Sequence, residues 1–280
     1  MTWKVAFPMY NVSARIGAGY EALFGALAEV LRAGGMLEAV EFQRDPVLPD
    51  FWKRPDMLLS QTCGYPYLTQ LREHVRLLAT PAYDFEGCLG ADYASAIVVR
   101  EGGGIATLAD ARGRTAAVND AASNSGMNAL RHAVAPLARE GCFFSGVIWS
   151  GSHRASLELV RNGAADLAAI DCVTLGYLRR EQPASLDGIA LLQYSAPSPG
   201  LPLVAGAAVP EALRQQLREA LLAPPAALAA IMPALSIRAF APYTIQEYAR
   251  IGVLESEAQA HGYPQLAQPR TTFKEEKTCY

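Results

Sequence analysis

Long apolar runs are missing from this 280-residue chain. No stretch reaches the roughly 18 residues that a membrane-spanning helix needs. A surplus of positive charge is also missing. The formal net charge is −3, which argues against nucleic acid as a partner, because phosphate backbones are gripped by basic surfaces. Five cysteines form no C-x-x-C pair, and the four histidines never join them at ligand spacing, so no metal site is expected. Cys63, Cys88, Cys142, Cys172 and Cys279 read mostly as small buried hydrophobes, with Cys279 exposed near the chain end. Free thiols of this kind point to a reducing compartment. The run Gly102-Gly103-Gly104 lacks the Lys-Ser/Thr pair of a P-loop and reads as a surface turn. Internal repeats and low-complexity tracts are absent as well. The start lacks a basic and apolar leader and runs straight into a strand at Trp3–Phe7. That fits a cytoplasmic protein, or a periplasmic one whose signal has been removed.

What is present is a globular composition, 51% hydrophobic and 18% charged, sufficient for one large domain or two smaller ones. After the first strand, Tyr20, Leu23, Phe24, Leu27, Val30 and Leu31 recur at helical spacing and stop at Gly34-Gly35. Strands are expected at Leu37–Phe42, Pro55–Ser60, Val75–Pro81 and Tyr93–Arg100. Beyond these, Arg114–Arg180 alternates strand and helix three times, the pattern of a parallel sheet. Strands at Leu191–Tyr194 and Pro202–Val209 follow, then helices around Glu211–Leu222, Pro224–Met232 and Tyr243–His261. The tail Gln268–Tyr280 lacks apolar periodicity and reads as a loosely held terminus.

The stretch Val118–Arg131 draws most attention. A buried strand ends there and a helix begins, with Ser123, Asn124, Ser125 and Gly126 at the junction. A helix start leaves backbone N–H groups unpaired beside the positive end of the helix dipole, and hydroxyls next to it add neutral donors. An ordinary serine cap would look the same in the sequence. Two further strand ends in this region carry His153 and Asp171, and the ends of parallel strands face one crevice in open α/β sheets. Gln61 and Tyr65, just past another strand, and Tyr10, past the first, are candidates for an aromatic and amide contact surface.

Taken together, these features resemble the periplasmic solute-binding proteins of phosphate/phosphonate-type ABC transporters. The likeness rests on Gln61–Tyr67, Tyr93–Arg100, Leu108–Gly113 before a strand, Ser123-Asn124-Ser125-Gly126 where the family shows Ser-Thr-Ser-Gly, Gly151-Ser152-His153, and Asp166–Asp171. It covers about residues 3 to 250. The resemblance implies a two-lobed α/β fold of the type II binding-protein class, with mixed, mostly parallel sheets flanked by helices. Residues 1–97 with 196–280 would form one lobe and 98–195 the other. Crossing segments near Ser95 and Ser195 would be hinges, with the ligand held in the cleft between lobes. It also implies ligand contacts at Ser123, Asn124, Ser125 and His153, with Tyr65 and Tyr93 as aromatic or hydroxyl contacts. Asp171 is an acceptor for a protonated ligand oxygen or amine, or an orienter of His153. The family's acidic position falls two residues later, on Val173 here.

The function expected is therefore reception of a small oxyanion such as phosphate or a phosphonate, by a monomer that feeds a transporter permease. No cofactor and no catalytic residue set is expected, since no nucleophile–base–orienter arrangement stands out. The alternative is a cytosolic enzyme or sensor module on the same fold, with His153 or Asp171 as a general acid or base on a small organic acid.

Overall fold

The computed structural model describes residues 2–36 and 38–266. The expectations for the tail Gln268–Tyr280 and for Cys279 lie outside the described residues. The first half of the chain forms β1 (Thr2–Ala6), α1 (Ala14–Ala33), β2 (Ala39–Phe42), β3 (Met57–Gln61), α2 (Gly64–Thr69), β4 (Val75–Tyr83), β5 (Cys88–Leu89), β6 (Asp92–Tyr93), β7 (Ser95–Arg100), β8 (Thr115–Val118) and α3 (Ala129–Val134). The second half forms β9 (Gly146–Trp149), α4 (His153–Arg161), β10 (Leu167–Asp171), α5 (Cys172–Glu181), β11 (Ile189–Tyr194), β12 (Ser198–Pro199), β13 (Leu203–Gly206), α6 (Glu211–Leu222), α7 (Ala226–Ala229), β14 (Ile237–Ala241) and α8 (Ile245–Ala260).

The chain divides into two compact units, one comprising Met1–Asp92 with Pro199–Ala249, the other Tyr93–Ser198 with the chain from Arg250 onward. This division differs from the expected lobes by a few residues at the first two crossings and by the placement of the segment after Arg250. Physical ties explain that placement. Asn128 Nδ2 donates to the Ile251 carbonyl, Arg131 donates to the Pro264 carbonyl, and Arg131 meets Glu255. The segments near Ser95 and Ser195 are bonded to each other: each residue's N–H donates to the other, at 2.9 Å in both cases.

The first unit holds a six-stranded sheet ordered β14-β4-β13-β3-β1-β2, and the second a five-stranded sheet ordered β11-β7-β10-β8-β9. Pairing is parallel among β2, β1 and β3 and among β9, β8 and β10, where strand–helix–strand crossovers bring the chain back in the same direction. It is antiparallel at β13, β4 and β14 and at β7 and β11. The sheets are thus mixed, and the expected parallel majority holds only in these two crossover regions. β13 and β7 directly follow crossings of the chain from one unit to the other.

Helix α1 shows how the sequence sets this architecture. Ser13 caps it by accepting the Ile16 N–H, and Ile16, Tyr20, Leu23, Leu27 and Leu31 form its buried face. Each such side chain taken from water contributes about 1.5–3 kcal/mol. In the second unit Met127 and Leu157 are buried. Strand β14 was not anticipated, because Ile237-Arg238-Ala239-Phe240 does not alternate strictly in polarity; only Ile237 and Phe240 are buried. The cysteine reading needs correction. Cys172 is buried, but Cys63 and Cys88 are half-buried and outside any disulfide, and Cys142 is disulfide-bonded.

Candidate functional site

Along one edge of the second unit's sheet, the neighbouring parallel strands β10, β8 and β9 each lead into a helix start. Each start is capped by a side chain. Ser123 Oγ accepts the Gly126 N–H at 3.0 Å, Ser152 Oγ accepts the Ala155 N–H at 3.1 Å, and Asp171 Oδ1 accepts the Val173 and Thr174 N–H groups. Capping is favoured at these residue types because their short side chains reach back to unpaired amides. Three helix N-termini on one sheet edge bring the positive ends of their dipoles together there.

The start after β8 is unusual. Residues Asn124–Asn128 form a π-helical turn, closed by the Asn128 N–H on the Ser123 carbonyl at 3.1 Å. The wider turn leaves one more amide unpaired than an α-helix would, and π segments are frequent at functional sites. Among the described residues, the Ser125 and Met127 N–H groups have no acceptor. Gly126 is required for space rather than for backbone conformation. A Cβ there would lie 1.8 Å from Asn119 Oδ1 and 3.4 Å from His153 Cε1.

His153, the first residue of α4, places Nε2 2.9 Å from Ser125 Oγ. Burial pushes its pKa from 6.5 down to about 4, against a weaker opposing pull from the nearby Ala169 backbone. The ring is therefore neutral near pH 7. Asn124 is fully buried; its Nδ2 donates to Tyr93 OH at 3.1 Å and to Ser198 Oγ at 2.7 Å. Tyr93, Ser123, Asn124, Ser125 and His153 are thus brought together. Asp171 is buried at the next strand end with one oxygen engaged in capping.

Tyr10, Gln61 and Tyr65 lie in the first unit. Tyr10 packs edge-on against Tyr83 at 5.3 Å, and Gln61 Nε2 donates to Tyr83 OH at 3.3 Å. Both are almost fully buried. Tyr65 is half-buried in α2, the short helix that follows β3. Four residues escaped the sequence reading: Asn119, Asn128, Arg131 and Ser198. Asn128 and Arg131 recur at helical spacing with Asn124, and buried polar residues on a face otherwise apolar were the available signal. Ser198 offered none. In the described residues no group of acidic, histidine and cysteine side chains could hold a metal.

Comparison with known proteins places this geometry in a family. Residues 53–248 match the model for the periplasmic substrate-binding protein of phosphonate ABC transporters. No curated protein matches the chain. Solved structures do. The binding-protein component of an ABC phosphonate transporter from Pseudomonas aeruginosa has a TM-score of 0.76 at 15% identity, with 93% of this chain and 87% of that one covered. PhnD1 from Prochlorococcus marinus, in complex with methylphosphonate, has a TM-score of 0.74 at 15% identity, with 92% and 98% covered. XAC2383 from Xanthomonas citri, bound to ATP, has a TM-score of 0.68 at 18% identity, with 93% and 98% covered. At these identities the structures attest to the two-lobed α/β fold. The family model covers well over half of the chain, and on that ground the chain belongs to the periplasmic substrate-binding proteins of phosphonate ABC transporters.

Proposed function

We propose that this protein receives a small oxyanion of the phosphonate or phosphate type in the periplasm and delivers it, as a monomer, to a transporter permease. The observation that carries the proposal is the π-helical start at Ser123–Gly126, where two unpaired N–H groups and the Ser125–His153 pair meet. An oxyanion has several oxygens that need donors, and such a helix start supplies them at fixed positions. PhnD1 binding methylphosphonate supports that ligand class. We place the contacts at Ser123, Asn124, Ser125, His153 and Tyr93. We extend the proposal to Tyr10, Gln61, Tyr65 and Asp171, whose individual replacement would then weaken binding.

The donors are neutral, which suits a monoanion better than a dianion. Val173 is buried and apolar where the family's acidic position falls, so a ligand ammonium group finds no countercharge at that residue. Methylphosphonate should bind better than an aminophosphonate. No observation favours the enzyme reading over this one, and the family is one of solute-binding proteins. Calorimetric titration with methylphosphonate, phosphite and phosphate tests the proposal. Binding by at least one is expected, and the absence of binding by all three would overturn it.

A further inference from the structure

Asn124 belongs to a buried chain of amides whose hydrogen-bond direction can be read without placing any hydrogen. Arg131 is 5% exposed, and a guanidinium can only donate. Its Nη2 lies 2.7 Å from Asn128 Oδ1, so that atom must be the amide oxygen. The Ile251 carbonyl, which can only accept, lies 3.0 Å from Asn128 Nδ2 and fixes the same orientation from the other side. The remaining Asn128 N–H donates to Asn124 Oδ1 at 3.1 Å. Asn124 is therefore obliged to turn its nitrogen toward Tyr93 OH and Ser198 Oγ, and both oxygens accept. Ser198 is 3% exposed, and its hydroxyl has no other partner among the described residues. Its hydrogen is left for an acceptor that these residues do not supply.

We propose that Asn128, held by Arg131 and the Ile251 carbonyl, is a positioning residue that sets the hydrogen-bond direction of the site, so that Ser198 donates to the ligand and the site selects oxyanions over ligands that must donate. This rests on the oxyanion reading above. With the amides reversed, Asn124 Oδ1 would take up the Ser198 hydrogen, and the serine would offer the ligand a lone pair, which repels an anion. The direction is set one helical turn away from the ligand, by groups that never touch it.

The isosteric variant N128D removes the side-chain N–H donors while keeping the shape. Asn124 would then turn its nitrogen toward the new carboxylate and accept from Ser198. Titration with methylphosphonate should show S198A about ten- to a hundredfold weaker than wild type, for one lost hydrogen bond to a charged acceptor. N128D should be at least as weak, and the double variant no weaker than N128D alone, because the serine hydrogen has already been withdrawn. Additive losses, or a folded N128D with wild-type affinity, would overturn the proposal. N128D also loses its bond to Ile251, so its fold is checked by circular dichroism and thermal melting. A measurement on the unmutated protein needs no variant and no ligand: nuclear Overhauser contacts from the Asn124 side-chain amide protons should reach the Tyr93 ring. Contacts to the Asn128 side chain in their place would overturn the proposal. A wild type that binds no oxyanion would sink the functional reading, while the amide contacts still decide the direction of the chain.

Discussion

The two units share a sheet plan but use the ends of their parallel strands differently. In the first unit, residues after β1 and at the end of β3 turn inward onto Tyr83 of β4. Tyr20 OH meets its hydroxyl at 2.8 Å, Gln61 donates to it, and Tyr10 packs on its ring. These groups largely satisfy one another, Gln61 Oε1 being the exception. In the second unit the corresponding strand ends run into helix starts, and some amides keep their hydrogen-bonding capacity unspent. The same architecture therefore yields an aromatic clasp in one unit and a set of donors in the other. What separates them is side-chain choice at a few residues past each strand: tyrosine and glutamine in the first, serine, asparagine and glycine in the second.

That contrast can be broken most severely at Gly126. Gly126→Ala should lower stability by about 1–3 kcal/mol, because the new methyl group collides with Asn119 and the turn must shift. Oxyanion binding should fall with it; a thermal melt and a titration read the two effects separately. Ser125→Ala should weaken binding by about 1–3 kcal/mol, since an ionised acceptor loses a donor in an enclosed site. Calorimetry showing wild-type affinity would remove Ser125 from the contact set.

His153 sharpens the comparison through pH. Its pKa is depressed from 6.5 to about 4 in the folded chain. Between those values the unfolded chain takes up a proton that the folded one refuses, so stability is full above pH 6.5 and declines as pH falls toward 4. Melting curves of His153→Gln should lack that part of the decline. A bound anion favours the charged ring, so wild-type affinity should rise over the same fall in pH, with proton uptake visible as a buffer-dependent enthalpy. Protonation makes Nε2 a donor whichever tautomer came first, so Ser125 Oγ accepts and turns its own hydrogen outward. The smallest effect is expected in the first unit. Tyr83→Phe should cost about 1 kcal/mol per lost hydrogen bond and leave oxyanion affinity within about twofold, a factor worth less than 0.5 kcal/mol. A large loss of affinity would show that the contacts proposed at Tyr10 and Gln61 depend on Tyr83 to hold them in place.

Much of this was legible before any coordinates. Crossover strands reveal themselves as apolar runs such as Thr115–Val118 and Leu167–Ile170, and Ser-Asn-Ser-Gly after such a run announces a helix start. Two things were not legible. Antiparallel partners such as β14 gain their stability from a neighbour far along the chain, here Tyr83 and Ala82 opposite Ile237 and Ala239, and no local pattern encodes that. The neutral state of His153 likewise depends on burial created by distant residues, whereas the isolated side chain would titrate near 6.5.

The bonds that complete the site also carry a timetable. Asn128 waits for Ile251, 123 residues later, and Arg131 for Pro264, 133 residues later. A chain made from its N-terminus places the strand β8 and the serine turn early, but the groups that orient their amides emerge almost last. Contacts so far apart close slowly, because a long loop must be ordered before they form. On the proposed reading, the polarity of the site is therefore among the final properties a newly made chain acquires, and a nascent chain halted before Ile251 would hold the serines without their bearing.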